Sequence, residues 1–340
     1  MQVRIHERSQ KISFILNENM KGFLVSVLVA MAAKFLSEHY GAPAMLMALL
    51  LGMALNFLCD DPRTYVGIQF TARSVLRFGV ALLGVRVSWE ILLNLGPMII
   101  IGVIFGVFLT IGFGILIARL MGRDNDLGLL TGGSVAICGA SAAMAIAAVL
   151  PSRKGGDRDL TLTVLCVTVL STLTMIIYPV LVKVLGFDAD IAGIFLGASI
   201  HDVAQVVGAG FSISDETGEI AVLVKLIRVS MLAPVVLLLS LRVRQMFASK
   251  EGSRTQILPG FLLGFALLAL LNSLGFIPEV LQTFLTEISG WALLVAIAAV
   301  GIKTSLRGII SVGGTAIVML AAETLFLASF ILGLVMLLQK

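Results

Sequence analysis

Asp202 stands near the middle of an apolar run, directly after His201 and three residues before Gln205. A carboxylate at a helix centre in a bilayer costs at least about 2.5 kcal/mol. Its presence there points to proton or ion handling, with histidine the side chain that titrates near neutral pH. His201 and Gln205 are four apart and share a helix face, whereas Asp202 lies about 100° round from His201. A helix cap, or a bond to a neighbouring helix at a break in the segment, is the structural alternative for this cluster. Lys225 and Arg228 lie three apart in the next apolar run, and Arg73 and Arg77 four apart in an earlier one. Intramembrane cations need anionic partners, and Asp202 and Glu323 are the candidates. Two carboxylates cannot neutralise three deep cations (Arg77, Lys225 and Arg228), so an anion brought from solution would complete the balance. Arg73 reaches the headgroups by snorkelling. Arg77, about nine residues and so about 13 Å into its span at 1.5 Å per residue, either snorkels or faces the site.

A second cluster lies in the stretch Thr131-Gly132-Gly133-Ser134-Val135-Ala136-Ile137-Cys138-Gly139-Ala140-Ser141. Each glycine weakens a helix by about 0.8–1 kcal/mol relative to alanine. A break within hydrocarbon survives only where protein or a wet cavity satisfies the freed backbone. A half-helix starting at Gly139, Ala140 and Ser141 would aim free N–H groups and a positive dipole end at that cavity, which favours an anion. Close packing of small residues is the alternative. Cys138 and Ser141, with His201 as base, would serve an intramembrane enzyme. No feature other than the half-helix start activates the thiol, so packing or substrate lining is the better reading.

The elements that must hold these residues follow from composition. The chain has 340 residues, 59% hydrophobic and 13% charged, against about 25% charged in a soluble domain. Apolar runs of about 17–25 residues recur along its length, which makes an all-α polytopic membrane protein. Eleven spans are expected, at 20–37, 42–58, 68–90, 96–120, 128–150, 160–185, 191–211, 218–241, 257–276, 287–304 and 308–338. The N-terminus lacks a cleavable signal pattern. The net charge of +4 reads as membrane topology rather than nucleic-acid binding. Cys59, Cys138 and Cys166 form neither a metal pattern nor a disulfide framework, and no cofactor is implied.

Ala145-Ile146-Ala147-Ala148-Val149 returns unchanged as Ala296-Ile297-Ala298-Ala299-Val300, and the same shift carries Gly139 to Gly290 and Arg77 to Arg228. This predicts an extra helix (1–40), a first five-helix repeat (41–187) and a second, inverted one (188–340). Segments five and ten would then be the two broken, crossing helices, with Ser289 and Gly290 at the second break. Lys/Arg bias places the N-terminus in the cytoplasm and the C-terminus outside. Cytoplasmic ends hold Arg4, Arg8, Lys11, Lys21, Arg63, Arg73, Arg119, Arg123, Lys183, Arg242, Arg244, Lys250, Arg254, Lys303 and Arg307. The outer side holds Lys34, Arg86, Arg153, Lys154, Arg158 and Lys340. The basic loop Ser152–Asp159 dissents from this pattern, as a misassigned span beside it would make it do.

Gly133-Ser134-Val135-Ala136-Ile137-Cys138-Gly139-Ala140-Ser141-Ala142 and Gly197-Ala198-Ser199-Ile200-His201-Asp202-Val203-Ala204-Gln205-Val206-Val207-Gly208-Ala209 resemble the YeiH-type sulfate-exporter family of bacterial inner-membrane proteins. The layout is also similar to bile-acid symporters and sodium/proton antiporters, which have inverted five-helix repeats with crossed broken helices. The acidic residues usual at the antiporter crossing are missing from the stretches Gly139-Ala140-Ser141 and Ser289-Gly290. The resemblance implies a bacterial plasma membrane and a secondary transporter of a small anion, such as sulfate, a sulfonate or a carboxylate. The expected substrate-binding residues are Ser134, Cys138, Gly139, Ala140, Ser141, Ser289, Gly290, Arg77, Lys225 and Arg228. His201, Asp202 and Gln205 would handle a coupling H+ or Na+. A cation-coupled antiporter, an enzyme and a channel are the rivals. Trp291, glycine-rich faces and segment one are candidate homodimer surfaces.

Overall fold

A computed structural model describes residues 2–86, 89–151, 156–246, 260–304 and 314–338, without the side chains of 2–18, 89–94, 157, 242–246, 314–315 and 338. Arg153, Lys154, Lys250, Arg254, Arg307 and Lys340, and the first residues of segments nine and eleven, lie outside the described residues. Everything regular among the described residues is helical: α1 (Gln2–Tyr40), α2 (Ala44–Ala54), α3 (Pro62–Phe70), α4 (Leu76–Leu82), α5 (Trp89–Leu120), α6 (Asn125–Ala136), α7 (Ala140–Ala147), α8 (Gly156–Leu185), α9 (Ala189–Ser199), α10 (Val203–Phe211), α11 (Asp215–Ser230), α12 (Leu232–Met246), α13 (Gly260–Ser273), α14 (Glu279–Lys303) and α15 (Gly314–Leu338), with short 3₁₀ and π turns between some of them. Seven helical stretches are long and apolar enough to cross a bilayer: Asn19–Tyr40, Pro62–Arg86, Leu95–Leu120, Arg158–Leu185, Asp215–Leu241, Glu279–Lys303 and Ala316–Leu337. The chain is a multi-pass α-helical membrane protein.

Segments five and seven do not cross. In segment five, Ile146 lies over Gly133, and Leu130 packs with Ala143 and Ile146. Residues 13 apart meet this way only if α6 and α7 fold back on each other. In segment seven, Gly193 faces Thr217 and Ile220, Gly197 faces Ala221 and Val224, and Gly210 faces Gly218 and Ala221. α9 therefore runs beside α11 in the same direction and α10 returns beside it, making a second hairpin. The 30-residue helix α8 separates the two. Its Leu160 and Val164 pack on the first hairpin, its Ser171 Oγ accepts from Asp202 N at the tip of the second, and its Met175 lies over Gly208. The hairpins thus enter from opposite faces of the molecule and meet tip to tip near the middle of α8.

Segment ten is one unbroken helix, α14. The expected break at Ser289-Gly290 is absent because both residues lie inside regular helix, where Ser289 Oγ donates to Gly79 O (2.7 Å). The pentapeptide at 296–300 therefore belongs to a through-going helix and its twin at 145–149 to the end of a hairpin. The identity in sequence does not carry the local structure with it.

Reading segment five as a hairpin also moves the start of α8 to the opposite face. Arg158 then joins Lys21, Arg63, Arg119 and Arg123 on the face where the first hairpin enters (face I). Lys183 moves to the other face (face II), with Lys34 and Arg86. The dissenting loop came from counting segment five as a crossing. At face II, Arg86 Nη2 reaches Glu219 (2.5 Å) and Asp215 (3.3 Å), tying the end of the Pro62–Arg86 span to the start of α11.

Candidate functional site

Local chemistry forms each tip. α6 ends where Ile137 leaves helical dihedrals, and Gly139, at φ 65° and ψ −130°, starts α7. Only glycine adopts that conformation without strain. A β-carbon there would meet nothing closer than 3.8 Å, so the backbone alone sets the penalty. Gly139→Ala is expected to destabilise the protein by about 1–3 kcal/mol, seen as a lowered Tm; an unchanged Tm would show the turn to be adaptable. In the second tip Ile200 is extended (φ −70°, ψ 144°), and Asp202 caps α10 by accepting from Ala204 N (3.3 Å). The helix-cap alternative for Asp202 therefore describes what its Oδ1 does.

Each break frees carbonyls at one half-helix C-terminus and N–H groups at the next N-terminus. The carbonyls converge on Lys225 and Arg228, which are 0% and 1% exposed. Lys225 Nζ donates to Ile137 O (2.7 Å), Ile200 O (2.9 Å) and His201 O, which uses all three ammonium hydrogens. Arg228 Nε donates to Ala136 O (2.8 Å) and Nη2 to Val135 O (2.6 Å). Its Nη1 reaches Ala198 O (2.7 Å), Ile200 O (3.0 Å) and Gly197 O (3.3 Å). No carboxylate pairs with either cation among the described residues. The negative ends of α6 and α9 neutralise them instead. The structure keeps both cations out of the described cavity lining: all three hydrogens of Lys225 and four of the five of Arg228 meet backbone carbonyls. Neither Asp202 nor Glu323 is their partner; Glu323 contacts Thr131 (2.7 Å).

The N-termini of α7 and α10 face the other way, into a cavity of about 290 Å³. Cys138, Ala140 and Ser141 line it from the first tip, and Asp202, Val203, Ala204 and Gln205 from the second. Arg73, Arg77, Lys303 and Thr304 form the facing wall, with Thr168 of α8. Arg73 sits in a π turn, Thr71–Val75, a widened turn common at functional sites. Among the described residues, the cavity lining sets three cations against one carboxylate, that of Asp202. Arg73, Arg77 and Lys303 make no ion pair or hydrogen bond among the described residues. Gln205 is buried, and its side-chain oxygen has no partner there either.

Several sequence expectations therefore separate. Cys138, Ala140, Ser141, Arg77, Asp202 and Gln205 come together at the cavity, and Gly139 makes the turn beside it. Ser134 is fully buried and bonds Leu130 O (2.8 Å). Ser289 and Gly290 do not line the cavity, and Gly290 is exposed with nothing opposite it. Lys225 and Arg228 lie behind the tips. His201 is buried with its Nε2 on Thr324 Oγ1 (2.9 Å), not on Cys138 or Ser141. Sequence reasoning missed Arg73, assigned to snorkelling, and Lys303, assigned to a cytoplasmic helix end. The four-residue spacing of Arg73 and Arg77 was the usable signal for the first. Lys303 had none, because its neighbours at the site come from other segments.

Residues 21–320 match the family model described as Conserved hypothetical protein 698, and the chain belongs to that family. It is 61% identical to the UPF0324 membrane protein TauZ of Paracoccus pantotrophus, over 93% of this chain and 95% of the relative. It is 55% identical to a UPF0324 membrane protein of Rhizobium meliloti, over 97% and 96%. A third, from Chlorobaculum tepidum, is 49% identical over 96% and 92%. No solved structure matches the chain.

Proposed function

We propose that this membrane protein is a secondary transporter of a small anion, with sulfate, sulfonates and carboxylates as the substrate classes to test. One observation carries the reading: among the described residues, the cavity joins two half-helix N-termini to three cations and one carboxylate. N-terminal N–H groups favour anions through hydrogen bonding and dipole together, and a site between opposed broken segments is the transporter arrangement. The volume falls at the low end of small-molecule sites, roughly 300–1,000 Å³, which suits a small anion with part of its water. The two hairpins, entering from opposite faces, form the inverted pair, and alternating access is a movement of the hairpin bundle against the wall of Arg73, Arg77 and Lys303. The basic residues of face I support a cytoplasmic orientation for that face and for the N-terminus.

The test is thermal stability of the purified protein in sodium and potassium salts. A ligand stabilises by RT ln(1 + [L]/Kd), so millimolar binders register at tens of millimolar. Stabilisation that follows the anion and ignores the cation is expected; stabilisation by sodium with any anion would defeat the reading. Ser141→Phe fills the cavity from an exposed position at the start of α7. It should abolish the anion response while leaving the unliganded Tm unchanged, and a retained response would move the site elsewhere.

A further inference from the structure

On the far side of the tips from the cavity, α15 touches both hairpins with consecutive residues. Glu323 Oε1 lies 2.7 Å from Thr131 Oγ1 of the first hairpin. Thr324 Oγ1, which donates to Leu320 O (2.6 Å), meets His201 Nε2 of the second at 2.9 Å. Glu323 is 0% exposed. Its Oε2 has no partner among the described residues, and its Oε1 lies over Gly114 of α5.

A carboxylate this buried, with one hydrogen bond and no cation, is strongly disfavoured. Lys225 and Arg228 bond to carbonyls rather than to Glu323. Other titratable groups on the packed elements do not bond to it: Asp126 on α6, Cys166 and Tyr178 on α8 and Asp190 on α9. Arg119 of α5 bonds Asn125 (2.8 Å). His201 Nε2 meets Thr324 rather than Glu323. Thr131 has one hydroxyl hydrogen, and its oxygen also lies 3.0 Å from Leu127 O. If that hydrogen serves Leu127, the shorter contact to Glu323 needs a hydrogen on the carboxyl.

We propose that Glu323 is a proton-binding site that couples transport to a proton gradient. A proton from water on one face forms the O–H bond on the carboxylate; when the hairpin bundle moves off α15 at Thr131 and His201, water reaches the group and the proton leaves to the other face. The coupling role rests on the anion-transport reading; the proton-bearing carboxyl does not.

Two measurements keep these apart. Infrared spectra of the folded wild-type protein at neutral pH should show a protonated-carboxyl band that disappears in Glu323→Gln. Its absence from the wild type, or its persistence in the variant, overturns the site whatever the substrate. In proteoliposomes, a pH gradient should drive concentrative sulfate uptake by the wild type and by Glu323→Asp. Glu323→Gln, a neutral isostere, should retain sulfate binding and lose at least about tenfold of the gradient-driven accumulation. Equal accumulation in wild type and Glu323→Gln overturns the coupling role and spares the anion reading. No binding of sulfate, a sulfonate or a carboxylate by the wild type defeats the anion reading and the coupling role with it, while the infrared result still decides the proton site.

Discussion

Arg228→Ala should fail as a folded protein before it fails as a transporter. The guanidinium holds carbonyls of both half-helix C-termini together, at Val135 and Ala136 on one hairpin and Gly197, Ala198 and Ile200 on the other. Removing it strands these oxygens and leaves two negative dipole ends facing each other. Breaking a buried charged arrangement by removing one partner costs about 3–5 kcal/mol, and each hydrogen bond to a charged group contributes about 1.5–3 kcal/mol. The check is the yield of monodisperse protein and its Tm in detergent, with Lys225→Met alongside. Arg228→Lys should recover little, since an ammonium offers three donors where the fork offers five. A wild-type Tm in Arg228→Ala with normal anion binding would refute the clasp.

Much of this fold was open to reading in the chain. Polar breaks near Cys138 and at His201-Asp202 were visible because glycine, serine and charge interrupt apolar runs. Their consequence was hidden, because an apolar run of about 22 residues has the same composition whether it crosses or turns back. Ile146 over Gly133 and Gly210 against Gly218 are contacts that no periodicity encodes. The repeat at 145 and 296 misled for a related reason: Ala-Ile-Ala-Ala-Val suits any tight helical contact, and Ser289 found a partner at Gly79 O that keeps its helix whole. The deep cations were correctly seen to need negative partners. Side-chain counting overlooked the backbone, whose broken helices supply negative ends of their own.

Arg77→Gln with Lys303→Gln should give the opposite phenotype to Arg228→Ala: a stable protein that no longer binds its anion. Both side chains line the cavity, and both are exposed to it. Neither holds a tertiary hydrogen bond or ion pair among the described residues, so their loss leaves no buried group unpaired and Tm without ligand should hold. Charge-assisted bonds to an oxyanion are about twice as strong as neutral ones. Water in the cavity screens them, which argues for the low end, about tenfold in affinity for each and about a hundredfold for the pair. Removing two of three cations also leaves Asp202 facing Arg73 alone, so the cavity turns from a net positive to a neutral site, and the half-helix N-termini must hold the anion unaided. Titration of wild type and double variant with sulfate, at matched ionic strength, measures the change. Equal affinities would place the anion away from this wall, and a lowered unliganded Tm would show that Arg77 and Lys303 hold the fold rather than the ligand.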